Sequence, residues 1–238
     1  MSGGMTWPLA AVALEGALGQ QSYAGSPLAM MGMLALMSLL PFAVLMLTSF
    51  SKIAVVLSLA RSAMGTQQAP PTLVLTGLAA VLTGHIMASV MERMYDAGQL
   101  AYQELETGSG TKILESAAKV AEPLRSFLVK HGSPEERARF VDLARELRPP
   151  EEADTVSETD LFVVIPAFVI TELKEAFQIG FLVFLPFLVL DMVIANVLLA
   201  LGMQTLSPSQ VSLPFKILLF VAVDGWSLLA RGLILGYR

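Results

Sequence analysis

The sequence predicts an all-α membrane protein: about four long, kinked hydrophobic helices in two hairpins, with a small helical insert between them. Three observations carry this. The 238 residues are 55% hydrophobic and only 15% charged, where a soluble domain carries about a quarter charged residues. Apolar runs recur at residues 28–59, 72–91, 179–203 and 213–235, and roughly 20 such residues suffice to cross a bilayer's hydrocarbon core. Acid is also unevenly spread: of 20 acidic residues, all but Glu15, Glu172, Glu175, Asp191 and Asp224 fall within residues 92–160. The chain therefore divides into an N-terminal segment (1–27), a first hydrophobic hairpin (28–91), a polar insert (92–160) and a second hydrophobic hairpin (161–238). The net charge of −5 describes mainly the insert, and no basic surface for nucleic acid is read. With no cysteine, disulfides, zinc–thiolate sites and thiol catalysis are excluded.

The first basic residue is Lys52, so no basic n-region precedes the modest apolar run of residues 9–18, which Glu15 interrupts. An uncleaved N-terminal segment is expected. Residues 28–59 exceed one crossing and must kink, tilt or leave the lipid, with Pro41 the expected kink. Arg61 ends the run, and GTQQAPP at residues 65–71 makes a compact turn, since Gly and paired Pro both stop helices. Residues 72–91 form the second crossing. Gly77, Ala79, Ala80, Gly84 and Ala88 would let neighbouring helices approach closely. Lys52 and Arg61 flank the first loop, and residues 16–91 hold no acid. The positive-inside rule makes that loop cytoplasmic and the insert periplasmic.

In the insert, Gly108-Ser109-Gly110 is a flexible break. Ile113, Ala117, Val120, Leu124 and Phe127 give one apolar stripe despite Pro123. Ser133-Pro134-Glu135-Glu136 reads as a capping box with Pro at the first helical position. The helix it opens carries Phe140, Leu143, Ala144 and Leu147, and Pro149-Pro150 stops it. Residues 166–203 read PAFVITELKEAFQIGFLVFLPFLVLDMVIANVLLALGM. At the start, Ile170, Leu173 and Phe177 form an apolar row while Thr171, Lys174, Glu175 and Gln178 form a polar one. This predicts an amphipathic entry running into a membrane-grade helix that Pro186 and Asp191 interrupt. A short uncharged loop leads to the last helix, residues 213–235, which holds Lys216, Asp224 and Trp226. Arg231 and Arg238 then lie on the outer side, against the positive-inside rule; helices that do not all cross lipid would explain this.

The stretch 166–203 resembles the signature of the FliP/SctR family, inner-membrane subunits of the type III protein export gate. SFSKIAVVLSLARSAMGTQQAPP at residues 49–71 and SPSQVSLPFKILLFVAVDGWSLLARGLILGY at residues 207–237 match the same family in the same order. The resemblance implies several copies wound together with SctS and SctT subunits (FliQ and FliR in flagella), in a closed helical assembly partly lifted out of the bilayer. Its cargo would be unfolded secreted proteins. It also implies that residues 202–208 line the narrowest point of a pore. Family members usually carry a run of methionines there, forming a deformable ring. Here the candidate gasket is Gly202, Met203, Gln204, Thr205 and Leu206, a more polar version.

No catalytic constellation is legible: there is no phosphate-binding GxxxxGK[ST] loop, no GxGxxG and no GxSxG. His85 and His131 have no spacing partner. Glu172 and Glu175 lie one turn apart, but Lys174 beside them argues against a metal, and no cofactor is expected. Gly232 and Gly236 form one weak helix-packing match. The intramembrane charges Lys52, Glu172, Lys174, Glu175, Asp191, Lys216 and Asp224 read either as an ion pathway or as ion pairs between helices and subunits; the second is favoured. Lys216 and Asp224 are two turns apart and need partners elsewhere. Two function classes compete: a non-enzymatic channel subunit for protein export, and a self-contained ion or solute transporter. The two hydrophobic halves show no internal repeat of the kind transporters often have, so export is expected. An injectisome is favoured over a flagellum.

Overall fold

The computed structural model describes residues 27–66, 69–106, 113–203 and 205–238. Three sequence expectations lie outside these: the N-terminal segment through residue 26, the Gly108-Ser109-Gly110 break and Gln204. Every described element is helical: α1 (Pro27–Met46), α2 (Phe50–Ala63), α3 (Thr72–Glu106), α4 (Ile113–His131), α5 (Pro134–Leu147), α6 (Pro150–Ala153), α7 (Leu161–Ala200), α8 (Pro208–Ala222) and α9 (Gly225–Leu235). Among the described residues two helices, Thr72–Gln103 and Leu161–Ala200, are long and apolar enough to cross a membrane, or up to four spans result if each bent helix pair makes one. The protein is an all-α membrane protein.

The chain divides into two units, Met1–Ala43 and Val44–Arg238. Most of α1 belongs to the first. It is apolar on every side, as suits a helix bound for lipid or for apolar neighbours. Pro41 lies inside this helix, and the chain leaves helical form later, at residues 47–49. There the Phe50 N–H donates to Thr48 Oγ1 at 3.3 Å, so a side chain serves one of the orphan donors at the start of α2.

In the second unit α2 packs on α7 and α3, and α3 packs along α4. One core cluster holds Ile53, Val56 and Leu57 of α2, Leu75, Ala79 and Leu82 of α3, Ala176 of α7 and Leu233 of α9. A second joins Met87 and Val90 of α3, Phe127 and Leu128 of α4, Val164 and Phe168 of α7, and Tyr237. Arg61 closes the α2–α3 turn: its guanidinium donates to Thr72 Oγ1 at 2.9 Å and to the Pro70 carbonyl at 3.4 Å.

Four local expectations change. First, α3 does not end at Met91 but runs on to Glu106. Residues 92–106 contain no proline, so nothing in the backbone stops the helix where the apolar sequence stops. Second, α7 is one 40-residue helix through Pro166 and Pro186; apolar helices tolerate proline where neighbouring elements support the freed carbonyl. Third, the last apolar segment is two helices, α8 and α9, bent by 57°. The break sits at Asp224, in the left-handed region at φ 50, which Asp tolerates better than most residues. Gly225 follows because the Phe220 ring occupies the space where its Cβ would stand, and Phe220 meets the Trp226 ring edge-on at 5.0 Å. Fourth, the two rows at the start of α7 do not sort into a buried and an exposed face. Thr171, Glu172 and Ala176 are buried, whereas Lys174 and Gln178 of the polar row and Ile170 and Phe177 of the apolar row are exposed, Phe177 by 60%. Glu172 and Glu175 turn toward Lys52, and Thr171 toward the Ser133 N–H.

The capping box also forms differently. α5 starts at Pro134 as expected, but Ser133 makes no side-chain cap. Its backbone N–H donates instead to Thr171 Oγ1 at 3.0 Å, so Glu136 has no free donor to reach back to, and it pairs with Arg139 and Lys174.

α2 and α7 touch most closely at Gly180, where an added Cβ would fall on the Leu59 side chain. Overpacking of this kind typically costs about 1–3 kcal/mol. Gly180→Val should lose about that much stability in a denaturant titration of the detergent-purified protein. The double variant Gly180→Val/Leu59→Ala should recover part of it.

Candidate functional site

Lys52 is the third residue of α2, in its first turn, on a helix whose other inward residues are aliphatic. Its side chain is 5% exposed, and its ammonium lies 2.9 Å from Glu172 Oε1 and 2.6 Å from Glu175 Oε2 of α7. Glu172 is wholly buried and Glu175 about half exposed. The Tyr237 hydroxyl donates to Glu172 Oε2, and the ammonium also stands 4.2 Å from the Tyr237 ring centroid, a cation–π geometry. One buried cation is thus held by two carboxylates and an aromatic face, drawn from α2, α7 and the segment after α9. Thr171, one residue before Glu172, donates to the Ala167 carbonyl at 2.7 Å while accepting the Ser133 N–H. This ties the insert to the same turn of α7.

A second group lies further along α7. Lys216 Nζ is 2.6 Å from Asp191 Oδ2, and the Ser212 hydroxyl donates to Asp191 Oδ1. Ser212 and Lys216 are four apart, so one face of α8 grips a single carboxylate of α7. This gives Lys216 the partner that its spacing from Asp224 could not. Lys174 reaches Glu136 of α5 at 3.5 Å. Asp224 joins neither group and stands at the α8–α9 break. The structure therefore brings together Lys52, Glu172 and Glu175, and separately Asp191 and Lys216, each within one chain.

The turn between α7 and α8 ends α7 in a Schellman motif. The Gly202 N–H donates to the Leu199 carbonyl at 3.0 Å and the Met203 N–H to the Leu198 carbonyl at 2.9 Å. Gly202 takes the left-handed conformation, φ +74, which glycine reaches without strain. Pro208 then opens α8 at its first position. Met203 and Leu206 are each 47% exposed, so both apolar side chains are presented outward. Asp191, Ser212 and Lys216 clamp the stems of this turn.

His131 packs against the Phe127 and Tyr237 rings, at 4.7 and 5.1 Å. Burial first, then the neighbouring Lys130 and Lys52 ammoniums, push its imidazole down to about 4, with Glu175 acting in the opposite sense. Among the described residues no group of three or more His, Asp or Glu side chains could hold a metal ion. Sequence reading missed Tyr237, Ser212 and Thr171. Tyr237 had one usable signal, since a tyrosine following an apolar helix needs a partner for its hydroxyl once buried. Ser212 had the i, i+4 spacing to Lys216.

Removing one partner of a buried pair typically costs about 3–5 kcal/mol, because the other charge is stranded. Lys52→Met should lose stability on that order in detergent, and Lys52→Met/Glu172→Met should restore most of it. The His131 imidazole is depressed in the folded state, so the unfolded chain binds the extra proton between its ordinary value of about 6.5 and about 4. Stability should therefore fall as pH drops through that window. Compared with His131→Gln, the wild type should lose thermal stability faster below pH ~6.5 and in parallel above it.

The FliP family model matches residues 33–233. The hypersensitivity response secretion protein HrcR of Ralstonia nicotianae is 47% identical over 207 residues, covering 84% of this chain and 93% of that protein. Yop proteins translocation protein R of Yersinia pestis is 45% identical over 208 residues, covering 86% and 93%. The flagellar biosynthetic protein FliP of Caulobacter vibrioides is 44% identical over 211 residues, covering 88% and 76%. The matched region takes in most of both hydrophobic hairpins, the insert, Lys52, Glu172 and Glu175, the Asp191 group and the α7–α8 turn, and on that match the chain belongs to the FliP family.

Proposed function

We propose that this chain is a core subunit of a type III export gate. With further copies of itself and subunits of the SctS and SctT kind, it forms the gated channel that passes unfolded proteins across the bacterial inner membrane. In this reading residues 92–160 face the periplasm, and the chain works as a channel part, not an enzyme. The observation that carries the reading is the near full-length match to two proteins named for secretion and translocation, each covered over 93% of its length. The outer face of α7 supports it. Phe181, Leu182 and Met192 are more than 60% exposed while Glu172 and Lys52 are buried, so the single chain is finished inside and unfinished outside.

The intrachain pairs act in assembly by holding α2, α7 and α8 in the shape that neighbouring copies recognise. An injectisome is favoured over the flagellar alternative because the chain covers only 76% of the flagellar FliP relative, against 93% of HrcR. An independent ion or solute transporter is less well supported, since no relative quoted above is named as one. Deleting this gene in its source bacterium should abolish secretion of effector-type proteins into the medium and leave swimming motility intact. Loss of motility with normal secretion would assign the chain to a flagellum instead.

The gasket belongs to the same reading: Gly202, Met203, Gln204, Thr205 and Leu206 seal the pore, with Met203 and Leu206 as its apolar lip. Met203→Ala/Leu206→Ala should raise small-ion leakage through the assembled gate without lowering its yield. Unchanged leakage would leave an ordinary inter-helix turn. Asp191→Ala should act oppositely, reducing assembled complex, because it strands Lys216.

A further inference from the structure

Among the described residues of the two hydrophobic hairpins, nearly every charged side chain is matched inside the chain. Lys52 holds Glu172 and Glu175, Lys216 holds Asp191, and Lys174 reaches Glu136 of the insert. Arg61 donates to Thr72 and to the Pro70 carbonyl. Asp224 and Arg231 have no side-chain partner in the chain, nor has Arg238 beyond α9. Asp224 is the N-cap residue of α9, where a carboxylate ordinarily accepts a backbone N–H, yet it makes no side-chain cap. The left-handed backbone there suits Asn as well as Asp. Conformation therefore explains a short polar residue at 224 and leaves its charge unexplained.

The two unmatched charges share a face. Asp224, Leu228, Arg231 and Leu235 follow one another at i, i+4, i+7 and i+11, and all four are exposed, Leu228 by 63% and Leu235 by 49%. The other side of α9 packs inward through Gly225, Trp226, Leu229 and Leu233. Beside Arg231, a Cβ added at Gly232 would meet no atom within 4 Å, so another helix has room to approach closely there. One surface thus carries both halves of an ion pair, set two turns or about 10 Å apart along the axis, with leucine between and beyond them.

We propose that this face of α9 docks on the same face of a second copy of this chain, the Arg231 guanidinium of one copy donating to the Asp224 carboxylate of the next. The inference rests on the export-gate reading, in which copies assemble, and names one contact that joins them. Where α8 and α9 make one bent span, copies that share a membrane orientation carry α9 the same way up. A reciprocal antiparallel pairing is then closed to them, and the contact is head-to-tail, with neighbours offset along the helix and Leu228 of one copy beside Leu235 of the next. Such a contact uses different residues on its two sides and passes from copy to copy. A carboxylate and a guanidinium among apolar side chains are costly apart and suited to each other when paired.

The test uses the full chain with its partner subunits in native membranes. The chain has no cysteine of its own, so Leu228→Cys and Leu235→Cys are placed in separate copies that are expressed together. A short bis-maleimide should then give a cross-linked dimer of this chain in clear excess over either copy expressed alone. Asp224→Asn or Arg231→Gln, introduced into both copies, should cut that dimer about tenfold. Neither side chain has a partner within the chain, so the melting temperature of the detergent-purified protein should stay at the wild-type value. Mixed cysteines that fail to cross-link within an assembled gate would overturn the contact and leave the export reading standing. Cross-links to a different subunit alone, or an undiminished dimer in Asp224→Asn, would overturn it in the same way. A chain that stays monomeric with its partner subunits present would overturn the contact and the export reading together.

Discussion

A buried ammonium that must be neutralised without water constrains everything around it. Lys52 has its side chain 5% exposed on a helix whose other buried residues are all aliphatic. An isolated charge there would cost several kcal/mol. It is met by Glu172 and Glu175 from α7 and by the Tyr237 ring. Those contacts fix the rotation of α7 about its axis, and so decide which residues of that helix face outward. The exposure of Ile170 and Phe177 follows directly. Glu172 and Glu175 must turn toward Lys52, and Ile170 and Phe177 are then left on the outside.

The same logic repeats toward the far end of α7. Asp191 is gripped by Ser212 and Lys216, which sets the angle at which α8 leaves the turn. Between the two groups, Gly180 lets α2 approach α7 as far as the Leu59 side chain allows. Polar clamps at two heights and a small residue between them make the α2–α7–α8 arrangement specific in a protein whose apolar surface alone would give many equivalent packings. Beyond α8, the Asp224 break turns α9 back toward α3, placing Leu233 in the first core cluster and Tyr237 in the second. The C-terminal residues thus complete the site that α2 opens.

Much of this was legible in the residues. Composition and run length give the all-α membrane class, and the charges that matter were all named from sequence, because a carboxylate or ammonium in an apolar run has few bland explanations. Gly202 marks the end of α7, but the next helix, expected from residue 213, already opens at Pro208, because proline is well suited to a first helical position. Which side of residues 170–178 is buried is not legible. Periodicity sorts them into two rows, but in a membrane protein it does not say which one is inside, and Thr171 and Glu172 are buried beside exposed Lys174 and Gln178. The length of α3 was misjudged for a related reason. The continuous apolar run ends at Met91, whereas the helix continues to Glu106 on propensity and on contacts with α4. The break at Asp224 was hidden because an Asp-Gly pair inside an apolar run reads as one more charge, when its role is conformational.

Lys52, Glu172 and Glu175 lock α2 and α7 of a single chain together. The chain contains no cysteine, so an introduced pair reports without ambiguity. A Cβ at position 180 would stand 3.2 Å from Leu59 Cβ, close to the 3.5–4.5 Å span of a disulfide. Oxidising Leu59→Cys/Gly180→Cys in native membranes should give one disulfide within each chain, seen as a faster-migrating monomer on non-reducing gels. Disulfide-linked dimers, or thiols that stay free, would show that the two helices do not meet within one chain and would contradict the account.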